Sequence, residues 1–456
     1  MRLLFFLVAA IPRFARGRLT RLAPVIAIVV IAGCKGRTAE LLALPLEAGM
    51  PAAPIPREQP SQVHFTFTAR DAVTFDWRGS DATLRFWAKD IAPRTVQAQP
   101  PVPEPVSSAG PWQEAVADGL VPGTNYFYEV GHPVRPTTQS FRAPPAAGAT
   151  GFKFVAVGDF GASSSGPAGA VVHRVIALGE PAFVLGLGDL TYADEHAASD
   201  VDRHFDDVMA WSQSAAYMPV WGNHEWEGKG DDLRNYNGRF ALPHAAASPG
   251  APAAGCCGED WYWFDHGAVR FIIYPEPYAA ETWTDWARKV EPLFAEAETD
   301  ANLRFIVTAG HRAAYSAGHH GGNAQLRAIL DGFGKRFGKY VLNLNGHGHG
   351  YERTKPQARV VHVTAGIGGG ELEHASTACR WTDCKTPPWI AFRAIHHGFV
   401  KLTVREEGIA LEAICAAASP NDDNIRCWDG EIMDTALIAP GPAPPPARPR
   451  VSAAGR

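Results

Sequence analysis

The chain has 456 residues, 46% of them hydrophobic and 20% charged, with 42 Lys and Arg against 47 Asp and Glu for a formal net charge of -5. At about 100 to 200 residues per domain, this length predicts two or three domains and more than one buried core. The acidic balance excludes a basic platform for nucleic acid and selects no substrate class by itself.

The chain opens on a leader. Arg13, Arg16, Arg18 and Arg21 precede an apolar run over 22–32, which is too short to span a membrane and has the shape of an export signal. It ends Ile31-Ala32-Gly33-Cys34, which resembles the lipobox of bacterial lipoproteins. That resemblance implies removal of residues 1–33, lipidation of Cys34, and an outer-membrane anchor, since Lys35 rather than an aspartate follows. Plain secretion is the alternative. A single acyl chain anchors only marginally, so a stable anchor needs the multiple acylation that the resemblance implies. The leader carries five arginines and no acid, so its loss moves the charge to about -10. Residues 34–60, rich in Ala, Pro and Glu, read as a tether.

Six cysteines follow Cys34: Cys256, Cys257, Cys379, Cys384, Cys415 and Cys427. An even set in an exported chain predicts disulfides, with Cys379–Cys384 and Cys415–Cys427 as short-range candidates among about fifteen full connectivities. The spacing does not match a structural zinc site.

Residues 61–145 hold short alternating segments such as Val63-His64-Phe65-Thr66-Phe67, Val73-Thr74-Phe75-Asp76-Trp77 and Asn125-Tyr126-Phe127-Tyr128, which predict a small all-β sandwich. The small residues and prolines of 143–151 mark a boundary. Over 150–435 the period changes. Segments 152–157, 183–187, 218–221, 269–274, 303–308, 340–344 and 360–364 read as buried strands, and 168–178 and 201–211 have helical spacing. This alternation predicts an α/β domain, a two-sheet sandwich flanked by helices, with ligands gathered past the carboxyl ends of its strands. Segments 397–404 and 409–414 read as strands that complete a second sheet, and 436–456 as a disordered Pro-rich tail.

A metal-capable residue stands just past each of five strands: Asp159; Asp189 with Tyr192; Asn223 with His224; His311; and His347 with His349. Carboxylates are hard ligands that offset cationic charge and can bridge two ions, whereas imidazoles suit zinc or iron better than magnesium. The mixture points to a dinuclear transition-metal centre. His347 and His349 are separated by one residue, so an extended strand end aims them alike.

In order and spacing these blocks, Gly158-Asp159-Phe160-Gly161, Gly188-Asp189-Leu190-Thr191-Tyr192, Gly222-Asn223-His224-Glu225, Gly310-His311 and Gly346-His347-Gly348-His349, resemble the motifs of the purple acid phosphatases, a family of the calcineurin-like metallophosphoesterase superfamily. Residues 64–141 are similar to the family's fibronectin III-like amino-terminal domain. The resemblance implies that Asp159, Tyr192 and His349 hold Fe(3+), that Asn223, His311 and His347 hold Fe(2+), Zn(2+) or Mn(2+), and that Asp189 bridges. It further implies an acid phosphatase that hydrolyses phosphate monoesters by attack of a metal-bound hydroxide, with His224 stabilising charge on the phosphoryl oxygens. A leaving alkoxide needs a proton, and the family places its donor at the doublet His319-His320. His320 is the first choice, with His319 the alternative donor or a phosphate ligand. Ala313 and Ala314 stand where the common plant version has Pro and an aromatic, which weakens inference about substrate. Glu352 and Arg353 are expected to orient the histidine loop. A phosphodiesterase or nucleotide hydrolase with the same metals, and a surface binding protein with a dead site, are the competing readings.

Overall fold

The structure is a computed structural model, and it describes residues 60–441 except 108, 132–137, 162–165, 195–197, 228–235, 237, 252–258, 374–385 and 419–424. All described residues lie in one compact unit, Ile55–Arg456. The leader, the tether up to residue 59, Cys34, Cys256, Cys257, Cys379, Cys384 and the tail beyond 441 lie outside the described residues.

The amino-terminal part is a sandwich of two antiparallel sheets. One has the order β1 (Ser61–Ala69), β2 (Ala72–Arg78), β5 (Trp112–Ala117), and the other β4 (Ile91–Gln97), β3 (Thr83–Ala88), β6 (Asn125–Val130), β7 (Gln139–Arg142). Alternation drives it: in β3 and β6 every second residue is buried, and the inward aromatics meet between the sheets. Phe65 lies 5.5 Å from Phe141 and Phe75 lies 4.5 Å from Tyr128, ring centre to ring centre.

The larger part contains two mixed sheets. The first runs β10 (Ala216–Val220), β9 (Phe183–Leu187), β8 (Lys153–Val157), β18 (Gly398–Val404), β19 (Ile409–Cys415), β20 (Ile432–Ile438). The second runs β11 (Trp263–His266), β12 (Val269–Ile273), β13 (Phe305–Ala309), β14 (Tyr340–Asn345), β16 (Val361–Ala365), β15 (Tyr351–Thr354), β17 (Ile390–Ala394). Strands β8 to β10 are parallel, as are β12, β13, β14 and β16. Such strands are buried on both faces, which is why they read as continuous apolar runs. Phe154 and Phe183 of the first sheet stack at 5.0 Å, and both meet Phe271 of the second edge-on, so the core lies between the sheets. Helices α1 (Ala168–Leu178) and α2 (Ser199–Ser212) pack on each other, and α3 (Thr282–Thr299) and α4 (Ala324–Arg336) form a second pair over a separate apolar cluster.

The fold expectation holds, with two differences of detail. Strands β18 and β19, expected to complete a second sheet, instead extend the first, because β18 pairs antiparallel with β8. The tail boundary at 436 falls within β20, whose register with β19 continues to Ile438. The predicted pair Cys415–Cys427 is bonded, closing a 12-residue separation beside that edge.

The two parts meet over a polar and aromatic seam. Arg239, 1% exposed, donates to Gln62 Oε1 at 2.8 Å and Asp202 Oδ1 at 2.7 Å, and its guanidinium lies over the rings of Trp112 and Phe205. Ser212 Oγ donates to Val63 O at 2.8 Å, and Tyr128 OH donates to Gln213 O at 2.7 Å.

Three buried histidines tie stability to pH. His173, His266 and His362 are each pushed down to about 3 by burial. His173 Nδ1 accepts from the Trp211 indole N–H at 3.1 Å, a bond that requires an unprotonated nitrogen. Their folded values lie below the unfolded value of about 6.5, so their contribution is complete above pH 6.5 and is lost as pH falls toward 3. Each is expected to cost roughly 3 kcal/mol on going from pH 7 to pH 4. Asp76, whose buried carboxyl is raised well above its ordinary value, opposes this in part. Urea unfolding of the protein at pH 7, 5.5 and 4 should show falling stability, and His173→Gln should flatten the slope; a flat wild-type profile would contradict the assignment.

Candidate metal centre

Seven residues brought to one end of the two sheets define the site, and each leaves the carboxyl end of a strand or the turn just beyond it. Asp159 follows β8, Asp189 and Tyr192 follow β9, and Asn223 follows β10 in the short 3-10 turn Asn223–Glu225. His311 follows β13, and His347 and His349 follow β14. The backbone turns sharply to deliver them. Asp159, Asp189 and His347 have φ of 59°, 48° and 68°, the left-handed region that costs a non-glycine residue on the order of 1 kcal/mol or more. At Gly188, with φ of 84°, a Cβ would sit 2.6 Å from His311 Nδ1, so the ring can lie against the chain only because no side chain is there.

The donors fall into two adjoining groups. In the first, His349 Nε2 lies 3.2 Å from Asp159 Oδ1 and 3.0 Å from Tyr192 OH. In the second, His311 Nε2 lies 3.1 Å from Asp189 Oδ2 and 3.1 Å from Asn223 Oδ1. One ligand atom each from Asp189, His311 and His347 fall within 4.8 Å of one another. The groups are joined by His347, whose backbone N–H donates to Asp159 Oδ2 at 2.9 Å and whose ring centre is 4.9 Å from that of His311. The structure thus brings together the seven residues expected to hold metal.

The donor chemistry fits cations. His311 Nδ1 donates to Leu187 O at 2.8 Å and His349 Nδ1 donates to Glu371 O at 2.5 Å, so in each ring Nε2 is the free end, aimed at oxygen ligands. A backbone acceptor behind a histidine fixes tautomer and direction in metal sites. Burial pulls both rings down, but Asp189 and Asp159 outweigh it, and they are pushed up to about 10 at His311 and about 9 at His349. Burial raises Asp189, but His311 and His224 overcome it and hold the carboxyl at about 2. Asp159 Oδ1 is buried, and the His349 imidazole faces it at 3.2 Å. Protons held so tightly between buried oxygens occupy the places that cations take.

His224 stands beside the donors without joining them. Its backbone N–H donates to Asp189 Oδ1 at 2.9 Å, its Nδ1 lies 2.9 Å from Asp194 Oδ1, and its Nε2 is 4.0 Å from Asp189 Oδ2. The ring of His320 packs on His347 at 4.1 Å and lies 6.1 Å from His349. His319 is exposed, its ring 5.2 Å from that of His320, and it contributes a backbone N–H to Glu373 Oε1 at 2.9 Å. Between the two, His320 is therefore the closer to the donors.

Several residues that matter here carried no role in the sequence reading. Glu225, fully buried, accepts backbone N–H bonds from Gly222 at 2.6 Å, Asp189 at 2.9 Å and Leu190 at 2.8 Å, and so locks the Asp189 loop to the Asn223 turn. Its place directly after Asn223-His224 is the signal that could have found it. Asp194, two residues past Tyr192, orients His224. Glu352 does position a histidine loop, but the one bearing the doublet: it accepts from Ala317 N at 3.0 Å, while Arg353 pairs with Asp434 at 2.7 Å, away from the donors. The reason is strand alternation, which sends neighbouring residues of β15 to opposite faces.

Residues 152–351 match the family described as calcineurin-like phosphoesterase. The chain is 24% identical over 340 residues to a nucleotide pyrophosphatase/phosphodiesterase of Hordeum vulgare, covering 66% of this chain and 86% of that one. It is 25% identical over 358 residues to Fe(3+)-Zn(2+) purple acid phosphatase 12 of Arabidopsis thaliana, covering 73% of this chain and 72% of that one. The solved structure of purple acid phosphatase PPD1 from Lupinus luteus superposes with a TM-score of 0.63 at 19% identity, covering 84% of this chain and 74% of that one, a likeness of fold. These matches support a metallophosphoesterase, with a calcineurin-like phosphoesterase domain and purple acid phosphatases among its homologues.

Proposed function

We propose that the protein is an acid phosphatase of the purple acid phosphatase type, hydrolysing phosphate monoesters at a dinuclear Fe(3+)–M(2+) centre. The observation that carries this reading is the pair of pinned imidazoles, His311 and His349, each presenting Nε2 to two side-chain oxygens at 3.0 to 3.2 Å. Asp159, Tyr192 and His349 would hold Fe(3+), Asn223, His311 and His347 would hold Fe(2+), Zn(2+) or Mn(2+), and Asp189 would bridge. A loaded centre supplies Lewis acidity and an activated water.

The chain's own residues supply the rest. His224, oriented through Asp194, offers Nε2 to phosphoryl oxygens beside Asp189. His320 donates the proton to the leaving oxygen, from a ring that Glu352 and Glu373 help place by holding the backbone at Ala317 and His319. A general acid is worth about 100- to 10,000-fold, and most when the leaving group is poor. His320→Ala should therefore slow turnover of an alkyl phosphate at least tenfold more than that of p-nitrophenyl phosphate. Equal losses on both would assign the donor elsewhere, and the same comparison with His319→Ala settles the doublet.

The named activity of the barley relative favours a second reading, a phosphodiesterase or nucleotide pyrophosphatase with the same metals. Some relatives are named probable inactive purple acid phosphatases, the counterpart of the binding-protein reading. The full donor set here favours activity. Turnover of p-nitrophenyl phosphate against its bis ester decides: monoester turnover below one hundredth of diester turnover would reverse the ranking. Residues 61–145 we assign as a fibronectin III-like domain, and residues 1–33 as a lipoprotein signal that leaves Cys34 anchored in the outer membrane. Labelling of expressing cells with a tagged fatty acid should mark the wild type and spare Cys34→Ser; equal labelling would refute the anchor.

A further inference from the structure

Resting on the monoesterase reading, we infer that Arg312 is a specificity-determining residue that grips the phosphoryl group and favours dianionic monoesters over monoanionic diesters. It follows the donor His311 directly, and both its main chain and its side chain are held. Tyr274 OH donates to Arg312 O at 2.8 Å. Its Nε donates to Glu276 Oε2 at 3.0 Å and its Nη2 donates to Glu227 Oε1 at 2.9 Å. Glu276 is fully buried and Glu227 half-exposed, so the guanidinium is anchored from within and screened by solvent on the other side.

The remaining arm is the informative one. Arg312 Nη1 lies 3.0 Å from His347 Nε2. A guanidinium only donates, so His347 Nε2 holds a lone pair toward it. With Nη1 this close, Nε2 has no room for an ion, so a cation on this ring would take Nδ1. The single ring proton then sits on Nε2, which no longer accepts, and Nη1 loses its acceptor while Glu276 and Glu227 keep the guanidinium in place. An N–H donor with a fixed positive charge, facing the donor cluster and lacking an acceptor, is complementary to a phosphate oxygen. A phosphate monoester dianion carries twice the charge of a diester and a third terminal oxygen, so a fixed cation discriminates in its favour. Arginine rather than lysine suits this place, because two of its three nitrogens are spent on carboxylates and the third still points inward.

Removing Arg312 alone leaves Glu276 buried and unpaired, so the test uses Arg312→Met, the compensated Arg312→Met/Glu276→Gln, and Arg312→Lys, each loaded with metal and analysed for metal content. Orthophosphate affinity is measured by calorimetry, and kcat and KM with p-nitrophenyl phosphate and its bis ester. The inference expects orthophosphate to bind about 10- to 100-fold more weakly in both methionine variants, with Arg312→Lys between them and wild type. It also expects the monoester to lose at least tenfold more in kcat/KM than the diester, at unchanged metal content. Orthophosphate affinity within twofold of wild type, or equal losses on both esters, overturns it. Loss of metal from the compensated variant also overturns it, since Arg312 would then support the ligands rather than the substrate. A wild type that prefers the diester sinks the monoesterase reading, and the orthophosphate affinities still judge Arg312 by themselves.

Discussion

Asp189→Asn is expected to lower phosphatase activity about a thousandfold or more and to leave the purified protein with less than one metal ion per chain. The substitution keeps shape and removes charge. Asp189 is 1% exposed and divides its oxygens, Oδ1 accepting from His224 N at 2.9 Å and Oδ2 facing His311 Nε2 at 3.1 Å. Its contacts reach the His224 turn and the donor imidazole of His311. An asparagine cannot balance two cations, and its amide nitrogen would oppose the N–H of His224 or the proton on His311. In the metal-free chain the two groups titrate as a pair, with His311 held up near 10 and Asp189 down near 2, so the metal-free variant should release a proton that the metal-free wild type retains at neutral pH. Metal analysis and turnover of p-nitrophenyl phosphate check the expectation. Activity within tenfold of wild type would contradict the bridging role.

Glu225→Ala should produce the largest loss of stability among substitutions near the site, about 3 to 5 kcal/mol by urea unfolding of the metal-free protein. Four backbone N–H groups, on Gly222, Asp189, Leu190 and, at 3.5 Å, Thr191, would lose a fully buried acceptor. The loss is local in origin and wide in effect, because the Asp189 loop already holds a left-handed aspartate that its surroundings must enforce. Glu225→Gln keeps one acceptor oxygen and should cost less than half as much. A change under about 0.5 kcal/mol in the alanine variant would show that the loops are held by something else.

The parts of this architecture legible in sequence were those where one local rule decides. The parallel strands β8, β9, β12, β13, β14 and β16 are buried on both faces, so they stand out as short apolar runs within two residues of their observed limits. Helix α1 was read to its observed ends because Val172 and Ile176 recur at helical spacing. Helices α3 and α4 went unread, although Trp283, Trp286, Val290, Phe294 and Ala297 form an apolar stripe; Pro292 within α3 and the glycines of α4 blur the period. The attachment of β18 to β8 could not be read at all, since antiparallel partners distant in sequence are chosen by which sheet edge is open.

At the site, the donors were legible because each stands at a strand end, where chemistry in such folds collects. The residues that aim them were not. The carbonyls of Leu187 and Glu371 behind the two imidazoles are backbone atoms, which sequence does not mark. Glu276 and Glu373 come from other loops and act through Arg312 and the His319 backbone, contacts that only the folded chain creates.

Metal analysis of the full-length protein, combined with its visible spectrum, tests the two-cation cluster most directly. The account predicts close to two metal ions per chain, one of them iron, with a broad visible absorption that disappears in Tyr192→Phe while the protein stays folded. An active protein holding a single ion per chain, or one whose absorption survives Tyr192→Phe, would contradict it.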